Sequence, residues 1–305
     1  MKKICCLFFT VILCLSVLGC QSDSSDGDLK GYETVIPDEF DGYLSGPIIE
    51  KISPDILVVK PDNKRKIENY GEVVHIVTDE ADEWCVGDEI EVIFSVAHVP
   101  REGNTEKPTI INADKVVPLV RQYKPIIYLY PEQPTKCSVE LTLDGHFTCT
   151  YPEYGEEGWR DFTAYPDGTL VFPDGKEYYA LYWEGTNNGK YDFSKGFCVR
   201  GEDTAEFLEL ALKEQGLTAR EANEFIVYWL PLMQDNLYNV IAFQSTAYTD
   251  GAVLDITPMP DNVLRVFMSF YPSETFVDIQ PQEFECFARK GFTVVEWGGS
   301  EVQKP

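Results

Sequence analysis

The residues best equipped for chemistry lie between 178 and 200, in the stretch YYALYWEGTNNGKYDFSKGFCVR. Two carboxylates, Glu184 and Asp192, stand on either side of a loop that holds Asn187, Asn188 and the turn glycines Gly185 and Gly189. Tyr179, Tyr182, Trp183 and Tyr191 surround that loop, and Lys195 and Cys198 follow. Aromatic rings stack on the apolar faces of sugars while amides and carboxylates bond their hydroxyls. A glycan site is therefore expected from Trp183, Glu184, Asn187, Asn188 and Tyr191. Two carboxylates at the right separation can also act as acid and base in glycoside cleavage. Cys198 with His146 would give a nucleophile and its base. The same residues also make a plain structural turn, with its aromatics in the core and Cys198 as a small buried hydrophobe.

Standard catalytic signatures are absent: no GxSxG, HExxH, GxGxxG or Walker loop occurs, and no CxxC pair. His75, His98 and His146 stand singly, without ligand spacing, so neither a metal nor another cofactor is expected. The leading functional reading is thus a non-enzymatic binding or interaction protein with a glycan or protein partner. The alternative is a cell-envelope hydrolase acting on glycan or peptide. A third reading is a scaffold with no small-molecule site.

Charge narrows the partners. The chain carries 51 acidic and 25 basic side chains, a net charge of −26, which becomes −28 if Lys2 and Lys3 are removed. Such a surface repels phosphate backbones and anionic headgroups, which argues against nucleic acid. An apolar content of 44% is normal for a folded protein.

The amino terminus reads as an export signal. Lys2 and Lys3 precede an apolar run from Ile4 to Leu18, shorter than the roughly 20 residues of a comfortable spanning helix. Val17-Leu18-Gly19-Cys20 resembles the bacterial lipobox. That resemblance implies a signal peptide over 1–19, a lipid on Cys20, and a position on the extracytoplasmic face of a bacterial membrane. Residues 20–40 begin QSDSSDGDL after the cysteine, have little to bury, and are expected to be a flexible tether.

Two modules follow, over 41–120 and 123–300, and the fold class expected overall is α+β. In the first, β-rich runs over 42–52, 55–60, 73–78, 89–95 and 109–117 are separated by turn material. Glu89-Ile90-Glu91-Val92-Ile93-Phe94 begins in the alternation of a half-solvated antiparallel strand. Five such strands suggest a small OB-like barrel. The run VGDEIEV, with the "ILV" strand before it, resembles small barrel-like domains of Gram-positive secreted proteins and lipoproteins. Its acidic loop, residues 79–83, and scarcity of aromatics favour a spacer or protein-contact role over ligand binding.

The second module is aromatic-rich. Strands are expected over 138–143, 147–151, 161–164, 169–172 and 177–183, then over 239–248, 252–258, 262–271 and 292–297, in an antiparallel sheet. Between them, Phe207, Leu208, Ala211 and Leu212 form a helical stripe closed by Gly216. Thr218 and Glu221 then make a capping box for a second helix with its stripe at Ala222, Phe225, Ile226, Trp229 and Leu230, ended by Pro231. The two helices should pack as a hairpin on the sheet. The phrases KPIIYLYP, YDFSKGFCVRGEDTAEFL, EANEFIVYWLPLM and KGFTVVEWGG resemble a widespread bacterial domain of no assigned function, which supplies no catalytic residue. Besides Cys20, the cysteines 85, 137, 149, 198 and 286 are odd in number, so mostly buried free thiols are expected. A hairpin turn at Asp144-Gly145 would hold Cys137 and Cys149 too far apart to bridge.

Overall fold

The computed structural model describes residues 29, 31–37, 42–101, 107–187, 190–285 and 287–304. Cys20, the leader, Asn188, Gly189 and Cys286 lie outside the described residues. Strand predominates over helix throughout.

The first module contains β1 (Tyr32–Val35), β2 (Tyr43–Ser53), β3 (Ile56–Val59), helix α1 (Lys64–Tyr70), β4 (Val74–Val77), β5 (Glu89–Ile93), β6 (Val96–Pro100), β7 (Thr109–Asn112) and β8 (Lys115–Pro118). They hydrogen-bond in the order β1-β6-β7-β4-β3-β2-β5-β8 around a core of Leu44, Leu57, Ile76, Ile90, Val92 and Ile111. The sheet ends at β1 and β8, so the closed OB-like barrel expected from the strand count does not form. Other expectations change with it. The run 109–117 is two strands, and β7 lies parallel to β4. Within the supposed tether, β1 pairs with β6.

The second module begins one residue later. It comprises β9 (Val120–Tyr130), β10 (Thr135–Leu143), β11 (Phe147–Tyr151), β12 (Trp159–Ala164), β13 (Leu170–Val171), β14 (Glu177–Tyr178), β15 (Leu181–Asn187), β16 (Phe197–Arg200), α2 (Thr204–Gln215), α3 (Ala219–Met233), β17 (Tyr238–Gln244), α4 (Thr246–Thr249), β18 (Ala252–Thr257), β19 (Asn262–Ser273) and β20 (Thr293–Glu301). These make two sheets. One has seven strands in the order β11-β15-β9-β20-β19-β17-β16, the other five in the order β14-β13-β12-β10-β18. The larger sheet is mixed rather than antiparallel, because β19 and β20 run parallel.

Burial explains the layering. In β9, Ile126 and Tyr128 face a core shared with α2 and α3, while Ile127 and Leu129 face a core between the two sheets. A strand covered on both sides reads as a continuous apolar run, which is what IIYLY is. The helical hairpin has its expected ends. Gly216 takes a left-handed φ of 101° to close α2, and Thr218 and Glu221 form the reciprocal capping box of α3. Pro231 does not end α3, which continues to Met233. The missing proline N–H costs the bond to Val227, an exposed position, while Met233 is fully buried and holds the last turn.

Two helices about 10 Å wide cover about four strands spaced ~4.8 Å apart. The sheet has seven. The core beneath the helices draws on β9, β17, β19 and β20 with β16 at its margin, and on no residue of β15 or β11. The helix-side face of those two strands is left open, and the candidate site is there.

The segment 143–147 is not a hairpin. β10 pairs with β12 and β18, whereas β11 pairs with β15, so Asp144-Gly145 carries the chain from one sheet to the other. A Cβ at Gly145 would stand 2.0 Å from the Thr186 carbonyl oxygen, so this crossing requires glycine. Cys85, Cys137, Cys149 and Cys198 are free thiols, but only Cys137 is buried. Residues 239–248, expected as one strand, end in the helical turn α4.

Between the sheets lies a buried ion pair: Arg265 Nε donates to Glu296 Oε2 at 2.5 Å, and Glu296 Oε1 accepts from the Trp183 indole at 3.1 Å. Arg265 is also stacked 4.6 Å above the buried Tyr248 ring. Removing one partner strands a charge in the core. Arg265→Met alone should lower the unfolding free energy by about 3–5 kcal/mol, and the double variant Arg265→Met/Glu296→Gln should recover part of that loss. Urea denaturation of both variants checks this; a double variant no more stable than the single would refute it.

Candidate functional site

The seven-stranded sheet separates the residues that sequence had grouped. Trp183 is fully buried between the sheets and its indole is committed to Glu296, so it is a core residue and offers no surface to a ligand. Asn187 is also buried, at the end of β15 against Gly251. The exposed Asp192 accepts from the Ser194 backbone N–H at 2.7 Å and from its hydroxyl at 3.0 Å, bonds that lower its pKa and close a local turn. Cys198 lies on the edge strand β16, and its Sγ accepts from Val277 N–H at 3.2 Å. His146 immediately precedes β11, the opposite edge. Six strand spacings between those edges amount to roughly 29 Å, so no Cys198–His146 pair exists.

Glu184 and Tyr182, by contrast, project onto the open face. β15 alternates, with Leu181 and Trp183 inward and Tyr182 and Glu184 on the other side. Across the ladder from them, on β11, stand Tyr151 and Cys149. The central strand supplies the decisive group. The pairing of β9 shifts register on both sides near Lys124, between Tyr182 and Gly185 of β15 and between Trp297 and Gly299 of β20. Lys124 sits in this bulge with φ of 61°, just before Pro125. A bulge frees a backbone group and re-aims a side chain. Here the freed Lys124 N–H donates to Glu184 Oε1 at 3.3 Å, and the ammonium lies 5.2 Å from the Tyr182 ring centre and 5.5 Å from that of Tyr228 on α3.

Beside this cluster a cleft of about 960 Å³ opens where the two modules meet. Tyr123, Tyr191, Phe193 and Tyr228 give it aromatic walls, and Glu89, Arg121, Lys190 and Glu301 stand among its polar groups. Arg121 is ion-paired with Asp62 and lies 3.9 Å from Glu89, both of the first module. Burial raises the pKa of Tyr123, raises that of Tyr182 with help from Glu184, and pushes Tyr228 up to about 12. These phenols therefore stay protonated at neutral pH, available as hydrogen-bond partners and unsuited to act as bases. Tyr191, singled out from sequence, does line this cleft; its ring packs on Phe267 and its hydroxyl accepts from Gln122 Nε2 at 3.5 Å.

Sequence reasoning passed over Lys124, Tyr123 and Tyr228. A signal existed for Tyr228, a large aromatic lying off the apolar stripe of its helix; the bulge that aims Lys124 depends on two partner strands and has no local signature. Among the described residues, no group of three or more His, Cys, Asp or Glu side chains is placed to hold a metal ion. No described helix is long and apolar enough to cross a membrane.

A buried polar contact ties the modules together beneath the cleft. Glu91, expected to face solvent by alternation, is 3% exposed because the second module covers it. Its Oε2 accepts from the Thr186 hydroxyl at 3.4 Å and lies 3.4 Å from His146 Nδ1, which is itself 3.1 Å from Thr186 Oγ1. The Tyr43 and His146 rings lie 3.7 Å apart with a 33° tilt, and the Lys66 ammonium lies 4.1 Å from the Tyr43 ring centre. Thr186 and Glu91 both approach His146 at Nδ1, and Thr186 Oγ1 also lies 3.5 Å from Nε2. Burial pushes Glu91 up to about 7 and His146 down to about 4.

No family model matches the chain, and no solved structure does. Over 63 residues, 20% of this chain, it is 40% identical to a Butyrivibrio fibrisolvens protein titled "Uncharacterized protein in bglA 3'region". The match spans 65% of that protein's length.

The raised Glu91 pKa has a signed consequence. The unfolded chain releases this proton near its ordinary value of 4.5 and the folded chain near 7, so folding stability falls as pH rises through that window and levels off above it. Glu91→Gln removes the effect. Its stability should match wild type near pH 4 and exceed it by up to ~3 kcal/mol above pH 7. Denaturant unfolding across this range tests the point; a difference independent of pH would show that Glu91 does not titrate there.

Proposed function

We propose that this protein is an extracytoplasmic lipoprotein, held at a bacterial membrane through Cys20, that binds a glycan at the module junction without cleaving it. The observation that carries the binding reading is the aromatic cleft formed by Tyr123, Tyr191, Phe193 and Tyr228 beside Glu184 and Lys124. Its 960 Å³ lies in the range of small-ligand clefts, roughly 300–1,000 Å³, and it is concave where a protein interface would be broad. Tyrosine combines a flat apolar face with a hydroxyl, which suits a sugar ring presenting both. The net charge of −26 disfavours polyanions.

Dispersal of the catalytic pairs supports binding over turnover. Cys198 and His146 stand on opposite sheet edges, and Asp192 is engaged by Ser194. The hydrolase alternative is left with Glu184 alone.

Two experiments address this reading. Calorimetric titration with a panel of neutral oligosaccharides should find binding that Tyr228→Ala and Tyr123→Ala each weaken at least about tenfold, with no new reducing ends after long incubation. Turnover, or no binding across the panel, would overturn it. For the anchor, Cys20→Ser should move the protein from the detergent phase to the aqueous phase in a cloud-point partition; wild type already in the aqueous phase would refute lipidation.

A further inference from the structure

A second groove lies on the same open face. It encloses about 470 Å³ and is lined by Tyr151, Tyr178, Tyr179 and Tyr182, with Thr169 and Glu177 among its polar groups. Tyr151 is 63% exposed and Tyr179 58%, so two large rings face solvent where a core would hide them. Tyr151 and Tyr178 meet edge to face at 5.4 Å, and Tyr179 leans on Tyr128 at 6.3 Å, which fixes the rings in place.

One side chain stands between the two grooves. Tyr182 lines the second groove and Tyr228 the junction cleft, and the Lys124 ammonium lies against both rings. Tyr151 of β11 and Tyr182 of β15 line the second groove, while β9 and α3 supply Tyr123 and Tyr228 to the junction cleft. We infer that the grooves are one continuous track for a linear, neutral oligosaccharide that crosses Lys124. This rests on the glycan reading above and extends it from a single cleft to a chain-shaped ligand.

Three observations select that occupant. Tyrosines recur along the path, at 151, 178, 179, 182, 228 and 123, giving a succession of rings with hydroxyls attached. The track holds charges of both signs, Glu177 and Glu184 with Lys124, Arg121 and Lys190, so it presents no field for a polyelectrolyte of either sign. Lys124 is held in a left-handed conformation that a non-glycine residue adopts at a cost. That cost is understandable if the ammonium serves as a positioning donor to the sugar hydroxyls passing over it.

The test uses the mature lipoprotein in detergent micelles, titrated with cello-, xylo- and chito-oligosaccharides of about two to eight units. Wild type should gain about tenfold or more in affinity from the shortest to the longest ligand of its preferred series. Tyr179→Ala should abolish that gain and leave the short-ligand affinity unchanged, and Lys124→Gly should abolish the gain as well. Lys124→Gly should also keep or raise the melting temperature, because glycine tolerates the left-handed backbone. Length-independent binding with Tyr179→Ala silent would overturn the track and leave the single-cleft reading standing. Failure of every oligosaccharide to bind would overturn both. A proline-rich peptide that binds with the same dependence on Tyr179 and Lys124, in place of any sugar, would overturn the choice of ligand. Lys124→Gly that lowers the melting temperature and weakens short and long ligands alike would reduce Lys124 to a structural role and overturn the inference.

Discussion

The fold turns on a single constraint: strand β9 has to be buried on both faces and still break its ladder at Lys124. It starts at Val120, with Leu119 alone between it and the last strand of the first module, and pairs with β15 on one side and β20 on the other. Ile126 and Tyr128 feed the core under the helices, and Ile127 and Leu129 the core between the sheets. Its register is therefore fixed from two sides, since a slip of one residue would exchange both sets. The bulge ahead of Pro125 absorbs the change in register and turns Lys124 out onto the open face. Close packing of the neighbouring strand against α3 follows from the same crowding. A Cβ at Gly299 would stand 2.6 Å from the Trp229 ring, so the helix approaches β20 as closely as it does only over glycine.

Burial of polar groups marks where the parts are joined. Between the sheets, Arg265 and Trp183 each bond one oxygen of Glu296, and Arg265 also donates to the Ala252 carbonyl. Between the modules, Glu91, Thr186 and His146 do so with both titratable groups shifted toward their neutral forms by burial. The difference in chemistry fits the difference in setting. A charged pair persists where a guanidinium and an indole N–H each hold one oxygen of the carboxylate, whereas at the junction the described partners of the carboxylate are a hydroxyl and an imidazole nitrogen.

Local signals in the sequence located most elements; partners were another matter. The helical hairpin was legible down to its ends because Gly216, Thr218 and Glu221 act within one turn. β10 and β11 looked like a hairpin because Asp144-Gly145 is a good turn, and only the distant strands β12, β15 and β18 decide that they lie in different sheets. Glu91 shows the limit of alternation. Period two says which side of β5 a residue is on, but not that a second module covers that side. At the candidate site the same period was informative and went unused. It separates Trp183, which belongs to the core, from Tyr182 and Glu184, which belong to the surface, although all three sit in one aromatic phrase.

The position of the site follows from a mismatch of widths. Two helices cannot cover seven strands, and the leftover surface is the edge formed by β15 and β11. An exposed sheet face of this kind is ordinarily made polar, as charged residues and short strands blunt an edge. This one carries Tyr151 and Tyr182 instead, flanked by Tyr178 and Tyr179, in a chain with twice as many acidic as basic side chains and ample polar residues for the purpose. Solubility alone would not gather these tyrosines there, and core packing does not use Tyr151 or Tyr179. A ligand with alternating apolar and hydroxyl-bearing surface accounts for both the rings and their exposure.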